Sequence, residues 1–202
     1  MEIKVINNVP NIKVTVNQSD DGELAILLAE DKRRTLGSIK PGSTVKLGDR
    51  EYIVLGHGTD TTAVIAKDFT KSMRFGSTGD YTKSDVRRYC NGEFLNELAN
   101  AVGMDNIVEH TVNLIAEDGT GKGKTCKDKV SILTADNYRR YREFLKPYGD
   151  WWWAATRVTY DNEDYARCVC YVDSDGVLNW NVCYYCRGVR PFCVLKSSVL
   201  VS

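Results

Sequence analysis

Residues 151–191, WWWAATRVTYDNEDYARCVCYVDSDGVLNWNVCYYCRGVRP, hold all four tryptophans, four of the seven cysteines and five of the eleven tyrosines of the chain. Side chains of these types normally fill or line protein cores. Here they are interleaved with Asp, Asn, Arg and Thr, and neither the helical period nor the strand period describes the stretch. The sequence therefore offers three interpretations: an unusual core, a metal site, or a surface that contacts a partner.

The composition of the chain is that of an ordinary globular protein. Its 202 residues are 43% apolar and 27% charged, which suffices for one hydrophobic core or at most two small ones. The 27 Lys and Arg residues balance the 27 Asp and Glu residues, so we expect no nucleic-acid partner. The sequence has no signal-peptide pattern at its start and no apolar run of about 20 residues, so we expect no membrane insertion. The cellular location is left open.

Turn signals and apolar periodicity divide the chain into strands and two helices. Alternating runs in residues 1–35, beginning at Ile3 and Val5, predict half-buried strands in an N-terminal segment, followed by a domain at residues 36–202. In that domain, closely spaced strands at 44–47, 51–55 and 63–66 predict an antiparallel meander. Ser84 and Thr134 each predict a helix N-terminus. Because strands and helices do not alternate regularly, the predicted class is α+β.

The cysteines suggest a metal site. Two closely spaced pairs, Cys168 with Cys170 and Cys183 with Cys186, have the number of thiolates that a tetrahedral structural zinc requires. However, Cys168 and Cys170 lie in strand-like sequence and not in the glycine-containing knuckles of zinc ribbons. A zinc-stabilised interaction module is therefore kept as an alternative, while the preferred interpretation has no metal and no cofactor. The odd number of cysteines argues against a closed disulfide framework.

Two further motifs suggest catalysis or nucleotide binding. The loop DGTGKGKT at residues 118–125 resembles a phosphate-binding loop, but Asp118 replaces the first glycine of the motif and a strand-like segment follows where a helix is required. We therefore predict a hairpin loop. His57 and His110 lie in strand-like surroundings far from the cysteines, and we expect both to be structural or surface residues. No catalytic residue is assigned.

The C-terminal half resembles a known fold family. Trp151-Trp152-Trp153, the run VDSDG at 172–176 and the run GVRPF at 188–192 are similar to the tail of C-type-lectin-fold domains. They are most similar to the branch related to formylglycine-generating enzymes, and this branch includes the variable proteins of diversity-generating retroelements. The meander at 40–69, the segment SDVRRYCNGEFL at 84–95 and the segment DKVSILT at 128–134 extend the resemblance over residues 36–195.

The resemblance implies a ligand-binding protein with a hypervariable C-terminal surface. Adenine-directed mutagenesis in such proteins converts Asn-type codons into codons for other residues. Most residues of the segment 179–187 can each be encoded by one Asn codon substituted in this way, although Trp180 does not fit. The implied scaffold is Trp151, Trp152, Gly188, Arg190 and Pro191. The implied contact residues for a protein ligand, on a cell or particle surface, are Arg157, Tyr160, Asn162, Tyr165, Arg167, Asn179, Trp180, Asn181, Tyr184, Tyr185 and Arg187.

The resemblance also leaves an enzymatic alternative. Enzymes of the formylglycine-generating type depend on a particular arrangement of cysteines, and no segment of this chain matches that arrangement closely. We therefore expect a binding protein and not an enzyme. Activity that requires intact cysteines is the property by which the alternative would be recognised.

Overall fold

A computed structural model describes residues 12–18, 20, 22–30 and 33–201 of the chain. In these residues the protein is α+β, with short helices and mostly antiparallel sheets, as the order of elements predicted. The predicted strand around Ile3 and Val5 lies outside the described residues. No helix among the described residues is long and apolar enough to cross a membrane.

The N-terminal segment forms a hairpin of two strands. Strand β1 (Ile12–Gln18) pairs antiparallel with β2 (Leu24–Glu30), and Gly22 in the turn between them has a φ of 89°. The predicted half-burial is only partly present: Val14 and Thr15 are half-buried, whereas other apolar side chains of the two strands are exposed, namely Val16, Leu24, Ile26 and Leu27. Alternation alone predicts a strand, whereas burial of one face requires a second layer.

The remaining strands form two larger sheets and two small pairs. In chain order they are β3 (Arg34–Thr35), β4 (Thr44–Leu47), β5 (Arg50–His57), β6 (Thr61–Ala66), β7 (Lys71–Arg74), β8 (Ile107–Val108), β9 (His110–Asn113), β10 (Thr125–Asp128), β11 (Val130–Ile132), β12 (Trp152–Arg157), β13 (Cys168–Val172), β14 (Leu178–Val182), β15 (Cys186–Val189), β16 (Pro191–Lys196) and β17 (Leu200–Val201).

The first large sheet contains the predicted meander. Its strand order is β11-β16-β6-β5-β4, and β8 pairs with β16. The second sheet has the order β14-β13-β12-β15-β7 and contains the aromatic stretch. Its one parallel contact joins Trp152 to Gly188, while its other pairings are antiparallel. The two small pairs are β9 with β10, which confirms the predicted hairpin, and β3 with β17.

Both predicted helix N-termini are confirmed. The side chain of Ser84 accepts a hydrogen bond from the amide of Arg87 and begins α1 (Asp85–Tyr89), while Thr134 caps α3 (Ala135–Tyr141). Residues Cys90–Phe94 form a wide π turn that continues from α1 into α2 (Leu95–Val102). Helix α2 stops at Gly103, which has a φ of 84°.

Two neighbouring tryptophans of β12 connect the two parts of the core. Successive strand residues point to opposite faces, so Trp153 packs into the larger core cluster and Trp152 into the smaller one. The ring nitrogen of Trp153 donates to the carbonyl of Met73 at 3.0 Å, and Trp152 contacts Tyr138 of α3 edge-on at 5.5 Å. Both indoles are at most 1% exposed, so each contributes a large apolar area to the fold.

Candidate functional site

The exposed aromatic side chains are concentrated in one part of the chain. The structure describes every Trp, Tyr and Phe residue, and the six that are exposed all lie between residues 148 and 185: Tyr148, Trp151, Tyr165, Trp180, Tyr184 and Tyr185. Elsewhere in the protein these residue types are buried or half-buried. Exposed aromatic clusters are characteristic of contact surfaces, because a stiff ring provides contact area at low entropic cost.

The candidate contact residues differ in exposure. Seven are exposed, namely Asn162, Tyr165, Arg167, Asn179, Trp180, Tyr184 and Tyr185. Three are half-buried, namely Arg157, Tyr160 and Asn181. The remaining one, Arg187, is only 6% exposed. The structure thus brings most of the set to the surface and places Arg187 beneath it.

The exposed residues come from three neighbouring segments. Tyr165 lies between β12 and β13, and its ring contacts that of Trp180 on β14 at 5.4 Å in an edge-on arrangement. Pairing of β13 with β14 sets Trp180 opposite Cys170. Tyr184 and Tyr185 follow in the turn between β14 and β15, with ring centroids 5.3 Å apart. Sheet pairing therefore brings Tyr165 and Trp180 together, and Tyr184 and Tyr185 form a second exposed pair in the turn that follows.

Tyr160 and Arg157 are engaged by the protein itself. The guanidinium of Arg157 lies 4.4 Å from the centre of the Tyr160 ring, and the ammonium of Lys124 lies 4.9 Å from it. The Tyr160 hydroxyl donates to the carbonyl of Leu114 at 3.0 Å. A Cβ on Gly121 would come within 2.3 Å of the Tyr160 ring, so the loop between β9 and β10 packs closely against it. Burial raises the pKa of Tyr160 above its ordinary value.

A buried framework lies under the exposed residues. Arg190 is 2% exposed, its Nε donates to the carbonyl of Ala66 at 3.1 Å, and burial lowers its pKa to about 10. Gly188 is buried so close to Phe69 that a Cβ would lie 2.5 Å from the ring. Pro191 and Trp152 are buried as expected of scaffold residues. Trp151 differs from that expectation, because its side chain is 42% exposed.

The four cysteines proposed as zinc ligands do not form a cluster. Among the described residues, no group of three or more His, Cys, Asp or Glu side chains is arranged to hold a metal ion. Cys168, Cys170 and Cys183 are buried, and Cys186 is exposed. Burial raises the pKa of Cys170 to about 12, so its thiol is protonated at neutral pH and is a poor nucleophile. All seven cysteines are free thiols.

The two histidines, 53 positions apart in the sequence, line one cavity of about 510 Å³ beside α3. His57 is held by Thr62 at 2.9 Å and by the carbonyl of Ile39 at 2.8 Å. His110 contacts the hydroxyl of Ser131 at 2.9 Å through Nε2, and burial lowers its pKa. No cysteine lines this cavity, so it brings together no Cys–His pair. Their shared location has no signal in the sequence, because β5 and β9 belong to different sheets and only tertiary packing brings them together.

The surroundings of Arg187 were not predicted from the sequence. Its guanidinium lies over the ring of Tyr171 in β13 and over that of Trp151, which immediately precedes β12. A run of three tryptophans was a signal for burial, and nothing in it distinguishes the exposed first ring from the two buried ones.

Comparison with known proteins found no match among family models, curated proteins or solved structures. The functional interpretation therefore depends on the residues and geometry of the protein itself.

Proposed function

We propose that this protein binds a protein ligand through the aromatic surface formed by Tyr165, Trp180, Tyr184 and Tyr185, with Trp151 at its edge. We propose further that the coding segment for this surface is diversified by a retroelement, as in the lectin-fold variable proteins that the sequence resembles. On this proposal the protein is a recognition module without catalytic residues or cofactor.

The observation that carries the proposal is the restriction of exposed aromatic side chains to residues 148–185. In a protein without such a function, a tail rich in Trp and Tyr is expected to bury those rings. Tyr184 and Tyr185 are instead 57% and 50% exposed, and Trp180 is 46% exposed. Interfaces between proteins are enriched in these residue types, which often supply most of the binding energy.

The division between buried and exposed positions supports diversification. Substitution at an exposed position away from special contacts usually changes stability by no more than about 0.5 kcal/mol. The exposed positions at 184–186 directly precede buried positions at 187–191, and positions 179–180 are also exposed. A mutagenic process confined to the exposed codons would change what the surface binds and leave the fold intact.

The decisive experiment is to sequence the DNA around the gene. The proposal expects a near-copy of the segment that encodes residues 155–191, differing almost only at adenines and lying beside a reverse transcriptase gene. Variants of the gene from one population should differ at the exposed codons and agree at Gly188 and Arg190. An intact flanking region without such a copy contradicts diversification.

Ligand binding is tested separately. A library randomised at Trp180, Tyr184 and Tyr185 and displayed on phage should yield binders to unrelated immobilised proteins. A control library randomised at three exposed positions of the meander, Lys46, Asp49 and Glu51, should yield none or far fewer. Equal yields from the two libraries would contradict a specialised contact surface.

A further inference from the structure

Arg187 lines a cavity of about 450 Å³ within the proposed contact surface. The other residues that line it include Ser72, Asp150, Trp151, Asn181 and Tyr185. Arg187 belongs to β15 and pairs there with Met73 of β7, so the sheet holds its backbone in place. The cavity is within the size range of sites that hold a small ligand or a single inserted side chain.

Aromatic rings enclose the guanidinium of Arg187. Its central carbon lies 4.1 Å from the centre of the Tyr171 ring, 4.4 Å from that of Trp151 and 5.4 Å from that of Trp153. Tyr185 is more distant, at 6.0 Å. Ring faces attract a cation, and the attraction is stronger when water is excluded. The rings therefore hold the guanidinium plane in position but offer it no hydrogen-bond acceptor.

The Nε–H group of Arg187 is not used within the protein. The Nε atom is enclosed and has no hydrogen-bond partner among the described residues. The Nε atom of Arg157 is likewise enclosed without a partner, whereas Arg190 donates to the carbonyl of Ala66 and Arg87 forms an ion pair with Asp128 at 2.8 Å. A buried charge without acceptors is costly, and an unpaired guanidinium next to a cavity favours an incoming anion.

The cavity lining favours a single negative charge. Arg187 and Asp150 are its two charged residues, and Asp150 is exposed and already accepts a hydrogen bond from the amide of Trp151. A carboxylate would match the two-pronged donor geometry of the guanidinium. A doubly charged phosphate would leave surplus negative charge beside Asp150. Asn181 and Ser72 supply further polar groups for orientation.

We infer that this cavity receives the carboxylate of an Asp or Glu side chain of the protein ligand, paired with Arg187 and flanked by Trp151 and Tyr185. This inference rests on the proposed function, because it makes the cavity the charged centre of the aromatic contact surface. Exposed rings around a desolvated ion pair are the usual arrangement of a binding hot spot.

Acetate serves as the probe for the carboxylate. Titration of the protein with sodium acetate at constant ionic strength should shift the Nε–H resonance of Arg187 in ¹⁵N–¹H spectra and quench tryptophan fluorescence, both with saturation. Acetamide, which has the same shape without the charge, should produce neither effect. Inorganic phosphate at pH 8 should bind more weakly than acetate. An acetate titration without saturation, or an equal response to acetamide, would overturn the inference.

The acetate affinities of variants distinguish binding in the cavity from binding elsewhere on the protein. Arg187→Gln should weaken acetate binding at least about tenfold, and Arg187→Lys, which keeps the charge but not the fork, should weaken it by less. Asp150→Asn should strengthen binding about twofold to threefold, because it removes the opposing charge at an exposed site. Asp150→Asn leaves Arg187 in place, so it tests the inference even if the Arg187 variants fail to fold. Unchanged acetate affinity in Asp150→Asn and in a folded Arg187→Gln would overturn the inference.

The two proposals fail in different ways. If acetate does not bind, but the repeat lies beside the gene and the library yields binders, only the carboxylate pocket is contradicted. If acetate binds specifically, but the repeat is absent and the library yields no binders, the diversified surface is contradicted and the anion site remains.

Discussion

Replacing Gly188 by alanine is expected to destabilise the fold by about 1–3 kcal/mol, the usual cost of inserting a methyl group into a tightly packed site. Gly188 is buried in β15, and its amide donates to the carbonyl of Trp151 at 2.9 Å. The new Cβ would lie 2.5 Å from Cδ2 and Cε2 of Phe69 and 2.6 Å from its Cγ. The Phe69 ring is stacked against Tyr148 at 4.3 Å, so either that pair or β15 must move.

Urea unfolding followed by circular dichroism measures the cost. For a chain of this length, about 1 kcal/mol corresponds to about 2–4 °C in Tm. Gly92→Ala is the matched control, because it adds the same methyl group in a helical turn where no atom lies within 4 Å. That variant is expected to be neutral or to stabilise by up to about 1 kcal/mol.

A double-mutant cycle identifies the clash as the cause. Phe69→Ala in the Gly188→Ala background removes the ring that the methyl group meets, so the double variant should be more stable than the sum of the single effects predicts, by at least about 0.5 kcal/mol. The reasoning is refuted if Gly188→Ala unfolds at the wild-type urea concentration, or if the two changes are additive.

Three further predictions concern the aromatic surface and the thiols. Changing Tyr184 and Tyr185 together to serine should alter the free energy of unfolding by no more than about 1 kcal/mol, whereas Trp153→Ala should cost about 3–5 kcal/mol in the same urea assay. Cys186 is exposed and should be the first thiol to react with Ellman's reagent at pH 8, so Cys186→Ser should remove the fast phase; a persistent fast phase contradicts its exposure. Burial raises the pKa of Cys193 from 9.0 to about 12, so the folded state keeps a proton that the unfolded state loses. The free energy of unfolding should therefore fall between about pH 9 and 12. Cys193→Ala should make that fall shallower by at most about 1.4 kcal/mol per pH unit. An unchanged slope contradicts the raised pKa of Cys193.

Features that depend on neighbouring residues could be predicted from the sequence. The caps at Ser84 and Thr134 and the stop at Gly103 depend on hydrogen bonds and backbone angles within a few positions. The strands of the meander were predicted for the same reason, since turns and alternation are local signals. The α+β class followed from the order of these elements.

The candidate site could be predicted only in part. The resemblance implied contact residues within residues 151–191, and seven of those eleven residues are exposed. The sequence could not predict that Tyr160 is held by the loop after β9, or that Arg187 lies beneath the rings. The cysteine spacing allowed a zinc site, but spacing does not specify where the thiols lie: Cys168, Cys170 and Cys183 are buried, and Cys186 is exposed.

The composition of the aromatic stretch and the turns and caps around it follow from the order of the residues alone. Which of three adjacent tryptophans is exposed depends on packing, because Trp152 and Trp153 point to opposite faces of a sheet that is covered on both sides. Tertiary structure also distinguished Arg190, which hydrogen-bonds to a carbonyl, from Arg187, which is enclosed by rings and unpaired within the described chain. The burial of these side chains depends on the parallel pairing of β12 with β15 and on the pairing of β15 with β7. In both pairs the two strands are distant in sequence.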